Sequence, residues 1–223
     1  MIPLLALALS TAALDAQYYQ RHQPGALEAN VAALETASEA EHLWRHCRAL
    51  VRRGERDKAL ADFELARRRC GESVDLSSTT ADAHFWLGVA TARYGEAKGA
   101  LKSLSLIKPI RAQMRATLEL DPGHGGAHQV LGQVLWKLPR LAGGDKKGAL
   151  AEFEEAVRLS PRYTANYVPL AEALLHFGRR ADAARVLKSA LEVADPADPA
   201  AAAVDAAKAR SLLESLRGDG VGD

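Results

Sequence analysis

Two histidine pairs have a spacing that could do chemistry. His42 and His46 are four residues apart, and so are His124 and His128. On a helix that interval puts two imidazoles on one face, where they could share a metal ion. Neither pair carries the glutamate of a zinc hydrolase motif, and no third ligand is apparent. His46 falls where a paired helix faces its neighbour, and His124 falls in a turn, so structural roles are expected. The run Gly143-Gly144-Asp145-Lys146-Lys147 is rich in glycine and lysine. It lacks the spacing and the closing Lys-Ser/Thr of a phosphate loop, and it follows a helical segment rather than a strand. Tight turning at the glycines, with Asp145 capping the next helix, is the expected use. No serine lies in a Gly-x-Ser-x-Gly elbow. The chain therefore reads as non-catalytic, with no metal and no cofactor assigned.

The elements that position these residues follow a repeat. A small residue, a bulky apolar residue four positions on and a small residue three further recur as Ala59/Phe63/Ala66, Ala149/Phe153/Ala156 and Ala183/Leu187/Ala190. The last two copies are 34 residues apart, the period of a tetratricopeptide helix–turn–helix. The expected fold is all-α: a tetratricopeptide-like solenoid of stacked antiparallel helix pairs with a C-terminal capping helix. The 223 residues are 48% hydrophobic but only 5% aromatic, which suits helices packed closely on alanine and leucine. Net charge is +1, so nothing electrostatic recruits nucleic acid, and the basic runs at 45–56 and 67–69 read as solvated helix faces.

Along the chain, helices are expected over 24–38, 40–53, 56–70, 81–93, 98–120, 125–138, 147–159, 164–177, 181–194 and 200–216. Gly54-Glu55 should turn the first hairpin, and 71–80 should be a polar loop. Pro109 lies inside a helical pattern and should kink or break it near Ile107-Lys108. PRLAGGDKKG, residues 139–148, is an insertion between two paired helices. Val204, Leu212, Leu213 and Leu216 should form the inward face of the last helix. The two cysteines, Cys47 and Cys70, have no Cys-x-x-Cys pairing. With the turn at Gly54 they would sit at different heights. Two free, small, buried side chains are then expected, the alternative being a disulfide with Cα atoms within about 7 Å.

Residues 1–14, MIPLLALALSTAAL, carry no charged side chain. They match a signal-peptide core and are shorter than the roughly 20 residues of a membrane span. Small residues follow, so cleavage after Ala13 or Ala16 is expected. This divides the chain into a leader at 1–16, a single helical-repeat domain at 17–217 and a disordered tail at 218–223. Export to the periplasm or beyond is expected, the alternative being a cytoplasmic adaptor that keeps its first helix.

Function is expected on the concave face, which the first helix of each pair lines. The candidate partner- or ligand-binding residues are Trp44 and Arg48; Phe85, Val89 and Arg93; Gln129, Gln133 and Trp136; and Val168, Glu172 and Leu175. Large apolar groups with a few polar anchors make a groove for another molecule, and packing between repeats is the competing use of the three aromatics. The usual two-carboxylate clamp needs Lys and Asn where this chain has Trp44 and Arg48.

The stretches AHFWLGVATARYGEAKGALKSLSLIKPIRAQMRATLELDPGHGGAHQVLG and KLPRLAGGDKKGALAEFEEAVRLSP resemble the T component of tripartite ATP-independent periplasmic (TRAP) transporters. The long proline-containing helix and the proline–glycine turn carry the resemblance. It implies a periplasmic helical-repeat protein that forms homo-oligomers, associates with a periplasmic solute-binding protein and serves uptake of small hydrophobic solutes. The eukaryotic regulator-of-microtubule-dynamics proteins share this repeat layout.

Overall fold

The computed structural model describes residues 10–218, so residues 1–9 of the expected leader and 219–223 of the expected tail lie outside it. The fold is all-α, a tetratricopeptide-like solenoid of antiparallel helix pairs, and no strand occurs among the described residues. It divides into two compact units, residues 1–113 and 114–223.

The first unit contains α1 (Thr11–Tyr19), α2 (Ala26–Ala33), α3 (Ala40–Asp57), α4 (Leu60–Leu76), α5 (Ala81–Lys98) and the first part of α6 (Ala100–Leu120). Ser10 caps α1 by accepting a hydrogen bond from the Ala13 amide. Leu27 and Val31 of α2, with Leu34 at its end, are buried as their spacing predicts, although the helix itself is shorter than expected.

The first hairpin departs from its expected turn. The helix α3 continues through Gly54 to Asp57, and the chain reverses at Lys58, which takes the left-handed conformation (φ 57°), and Ala59. Gly54 is needed for space rather than for a turn: a Cβ there would lie 2.7 Å from the Phe63 ring. Moving the turn changes the cysteines. Cys47 lies 11 residues before Lys58, and Cys70 lies 11 after Ala59, so an antiparallel pair sets them side by side. They form a buried disulfide with Cα atoms 5.5 Å apart, in place of the two free thiols expected.

The expected loop at 71–80 is shorter, because α4 runs to Leu76 and Ser73 donates its hydroxyl to the Ala40 carbonyl at 2.8 Å. The α5 helix passes Gly95 and stops at Gly99, whose φ is 98°. Gly95 lets α6 approach, since a Cβ there would be 3.2 Å from the Ser103 Cα. The expected break at Pro109 is absent: α6 is one helix from Ala100 to Leu120. Pro109 is exposed while its neighbours Leu106 and Ile110 are buried. One lost hydrogen bond on the solvent side is outweighed by packing on the other.

The second unit holds the rest of α6, then α7 (Gly125–Lys137), a 3-10 turn at Arg140–Ala142, α8 (Lys146–Leu159), a 3-10 turn at Thr164–Asn166, α9 (Tyr167–His176), α10 (Arg180–Leu191) and α11 (Pro199–Gly218). Its core contains the repeat residues Ala149, Phe153, Ala183, Leu187 and Ala190, packed with Leu170, Leu174, Ala209 and Leu213. Gly132 of α7 meets Phe153 of α8 so closely that a Cβ would lie 2.6 Å from the ring. The inserted turn is tight: Gly143 has φ 85°, and a Cβ on Gly144 would be 2.0 Å from the Leu138 carbonyl oxygen. Asp145 then caps α8 through the Lys147 amide, as expected. The inward face of α11 holds three of its four expected residues: Leu213 is in the core, and Leu212 and Leu216 pack against it. Val204 is 56% exposed, while Asp205, Ala209 and Leu213 point inward. Asp205 is accommodated because the Thr164 hydroxyl donates to it at 2.7 Å. An apolar reading of the stripe therefore errs only at its first position, where Asp205 and not Val204 faces inward.

Candidate partner-binding surfaces

Three of the four paired histidines have structural partners. His42 pairs with Glu39, and His128 with Glu152 at 2.7 Å. His124 caps α7 by accepting from the Ala127 amide through Nδ1. His46 is buried in the α3–α4 hairpin; burial, then the Arg69 and Arg53 charges, push its pKa down to about 4. Among the described residues no group of three His, Cys, Asp or Glu side chains could hold a metal ion. In the glycine–lysine run, Lys146 bends back to donate to the Trp136 carbonyl and places its ammonium 3.8 Å over the Trp136 ring.

In the first unit, Trp44 and Arg48 do not line an open groove: both are buried, and α1 lies over Arg48. Arg48 Nη2 donates to Asp15 Oδ1 at 2.5 Å, and its guanidinium lies 3.7 Å over the Tyr18 ring and 5.2 Å over that of Trp44. Arg45 grips the same carboxylate through Nε and Nη2, each at 3.0–3.1 Å, and reaches Glu41 through Nη1. Burial pushes the Asp15 carboxyl up, but Arg45 and Arg48 more than reverse this and hold it below the usual range. Asn30, fully buried, donates to the Leu14 carbonyl at 2.9 Å and ties α1 to α2.

The ladder of charges continues along the exposed side. Arg52 donates to the Tyr18 hydroxyl and pairs with Glu55. Glu55 also pairs with Arg93 of α5 at 2.6 Å, and Arg93 with Glu96. Burial would raise the Glu55 carboxyl, yet Arg52 and Arg93 bring it below its ordinary value. Of the expected α5 residues, Arg93 is thus fixed in an ion-pair network, Val89 is buried, and Phe85 is half-buried against Trp86, ring centroids 5.2 Å apart.

The second unit presents the more accessible surface. Gln129 uses its amide to donate to the Ala165 carbonyl at 2.8 Å. Trp136 is half-buried, its face under Lys146 and its ring edge-to-face with His176 at 5.1 Å. Gln133, Val168 and Leu175 are half-buried, and Glu172 is exposed. Trp136, Val168 and Leu175 pack their inner sides on the core, so core packing and surface exposure share these residues. An open cleft of about 490 Å³ lies elsewhere in this unit, lined by residues that include Arg162, Tyr167, Ser189 and Asp195; burial raises the Tyr167 hydroxyl pKa.

Sequence reasoning missed Asp15, Tyr18, Arg45, Glu55, Lys146 and His176 as members of these surfaces. For Asp15 the cause is plain: it falls within the stretch that has the composition of a leader ending at residue 16.

Residues 10–141 match the family described as regulator of microtubule dynamics protein 1-3. The chain belongs to this family. The family match begins at residue 10 and so includes α1. No curated protein matches the sequence. Among solved structures, a thermophilic TPR protein of Thermus thermophilus superposes with a TM-score of 0.67 at 19% identity, covering 92% of this chain and 96% of that one. MamA superposes with a TM-score of 0.52 at 18% identity, covering 78% and 92%. A MamA from Desulfovibrio magneticus RS-1, residue 41 to its end, gives 0.50 at 17% identity over 83% and 96%. At these identities the likeness concerns the fold: stacked tetratricopeptide-type hairpins.

Proposed function

We propose that this chain is a non-catalytic helical scaffold that binds a protein partner, and that its partner-facing surface lies on α7 and α9. The carrying observation is the half-buried set Trp136, Val168 and Leu175 beside the polar Gln133 and Glu172. Apolar area with a few polar anchors on rigid helices is what a docked peptide or small apolar ligand needs. Capture of a partner from extracts of its own cells tests the reading. Leu175→Asp should lose the partner while keeping the helical spectrum; unchanged capture by that variant would move the surface elsewhere.

The finer proposal is export, with the chain acting as an accessory to a periplasmic solute-binding protein in uptake of small hydrophobic solutes, as a homo-oligomer. The Cys47–Cys70 disulfide supports an oxidising compartment, and the resemblance to the TRAP T component supports the role. Co-purification with a solute-binding protein from the cell envelope, and a sedimentation mass above that of one chain, are the expected results. A second reading is a cytoplasmic adaptor that keeps its N-terminus. It is favoured by α1, which buries Leu14 and Tyr18 and pairs Asp15 with two arginines. Sequencing the mature N-terminus separates the two: cleavage after Ala16 would strip Asp15 from Arg45 and Arg48, whereas an intact start keeps it.

A further inference from the structure

We infer that Arg45 and Arg48 form a carboxylate-binding site, which α1 occupies in cis as a substitute for an acidic helical segment of a partner. This rests on the scaffold reading above and assigns it a second, closable site in the first unit.

Three observations carry it. Two guanidiniums on one face of α3 converge on a single carboxylate, Arg45 through two nitrogens and Arg48 through one, at 2.5–3.1 Å. Planar forks of this kind hold a carboxylate with defined geometry. The aromatic that completes the site is also supplied by α1, three residues later: the Tyr18 ring stacks on the Arg48 guanidinium at 3.7 Å, and its hydroxyl accepts from Arg52 Nε at 3.1 Å. The cis arrangement is also incomplete. Arg48 is nearly fully buried, yet its Nε has no hydrogen-bond partner. A buried donor left unpaired is costly. A partner carboxylate that engaged both Nε and Nη2 of Arg48 would satisfy it, which Asp15 does not.

The α1 helix is suited to exchange. It is nine residues long and fully buries only Leu14 and Tyr18. Short isolated helices are marginal, so its docking depends on these few contacts. The occupant that replaces it is a helical peptide with a carboxylate and an aromatic three residues further on, the spacing of Asp15 and Tyr18. A charge-neutral apolar peptide would leave Arg48 buried without a carboxylate and Arg45 with Glu41 alone, and would not compete.

The test uses the full chain and a fluorescein-labelled peptide of residues 10–22, STAALDAQYYQRH, as the probe. Anisotropy titrations compare the natural chain with Asp15→Ala and with Asp15→Ala/Arg48→Gln. The expected result is binding at least tenfold tighter to Asp15→Ala than to the natural chain, lost in the double variant, and lost again when the probe's own aspartate is replaced by asparagine. Equal affinity for the natural chain and Asp15→Ala, or binding indifferent to Arg48, overturns the proposal. If Asp15→Ala loses its helical signal, Tyr18→Ala, which loosens α1 without removing the charge, takes its place in the same comparison. A cellular partner that still binds Arg48→Gln, but is lost with Leu175→Asp, would sink this site and leave the scaffold reading standing.

Discussion

Replacing Gly132 by alanine should destabilise the protein, although alanine is the better helix former. In an exposed helix the change would gain about 1 kcal/mol from propensity alone. At Gly132 the new Cβ would sit 2.6 and 2.7 Å from two carbons of the Phe153 ring. Ordinary carbon contacts lie near 3.5–4.0 Å, so the ring must move by roughly 1 Å. Phe153 is 2% exposed and belongs to the core of this unit, so the ring cannot swing out into solvent. Overpacking of this kind costs about 1–3 kcal/mol, and a clash with two ring atoms belongs at the upper end. The net loss should be about 2 kcal/mol, read as a lower urea midpoint and a melting temperature reduced by about 4–8 °C. The decisive arm is Phe153→Ala, which alone should cost about 3–5 kcal/mol. With the ring gone, Gly132→Ala should become stabilising by about 1 kcal/mol. The same destabilisation in both backgrounds would refute the contact as the reason for glycine.

His46 gives a pH prediction. Its pKa is about 4 in the folded chain and about 6.5 as a free side chain. A depressed histidine means that the neutral form is favoured by folding. Its contribution is therefore complete above pH 6.5 and is lost as pH falls toward 4. Stability should drop by about 2 kcal/mol between pH 7.5 and 5. His46→Gln should flatten that window in urea titrations, leaving the carboxylate-dependent loss from Asp15 and Glu55 at lower pH; an unchanged slope would mean that His46 is already solvated. The Cys47–Cys70 bridge spans 23 residues, so a Cys47→Ala/Cys70→Ala variant should lose about 3 kcal/mol on chain-entropy grounds. Intact mass measured without reductant should be about 2 Da below the reduced value, the two hydrogens lost in forming the bridge; two free thiols in protein from its native compartment would count against both the bridge and the export proposal. Glu55→Ala leaves Arg52 and Arg93 without their shared carboxylate. Because these groups are partly solvated the loss should stay near about 1 kcal/mol, and a loss several times larger would mean the network is drier than its exposure indicates.

The repeat residues were legible because burial enforces them: every bulky centre, Phe63, Phe153 and Leu187, is in the core. Turn positions were less legible. Gly54 carries the composition of a turn, but its small size serves Phe63, and the reversal falls on Lys58, a residue with no turn signature. That single displacement hid the disulfide. The candidate surfaces divided for a related reason. Spacing selects residues on the first helix of each pair, and among them Trp136, Val168 and Leu175 are half-buried. It carries no information on what another segment lays over that face, so it could not tell that α1 covers Arg48. Asp15 is the residue that closes that face, and its apolar surroundings in sequence point away from the fold.

Site-specific photo-cross-linking in the native cell tests the central claim most directly. A benzophenone residue placed at Gln133 on α7 should capture a defined protein partner, and one at the exposed Lys188 on α10 should not. Capture of the same proteins from both positions, or of none from Gln133, would contradict the assignment of α7 and α9 as the working surface.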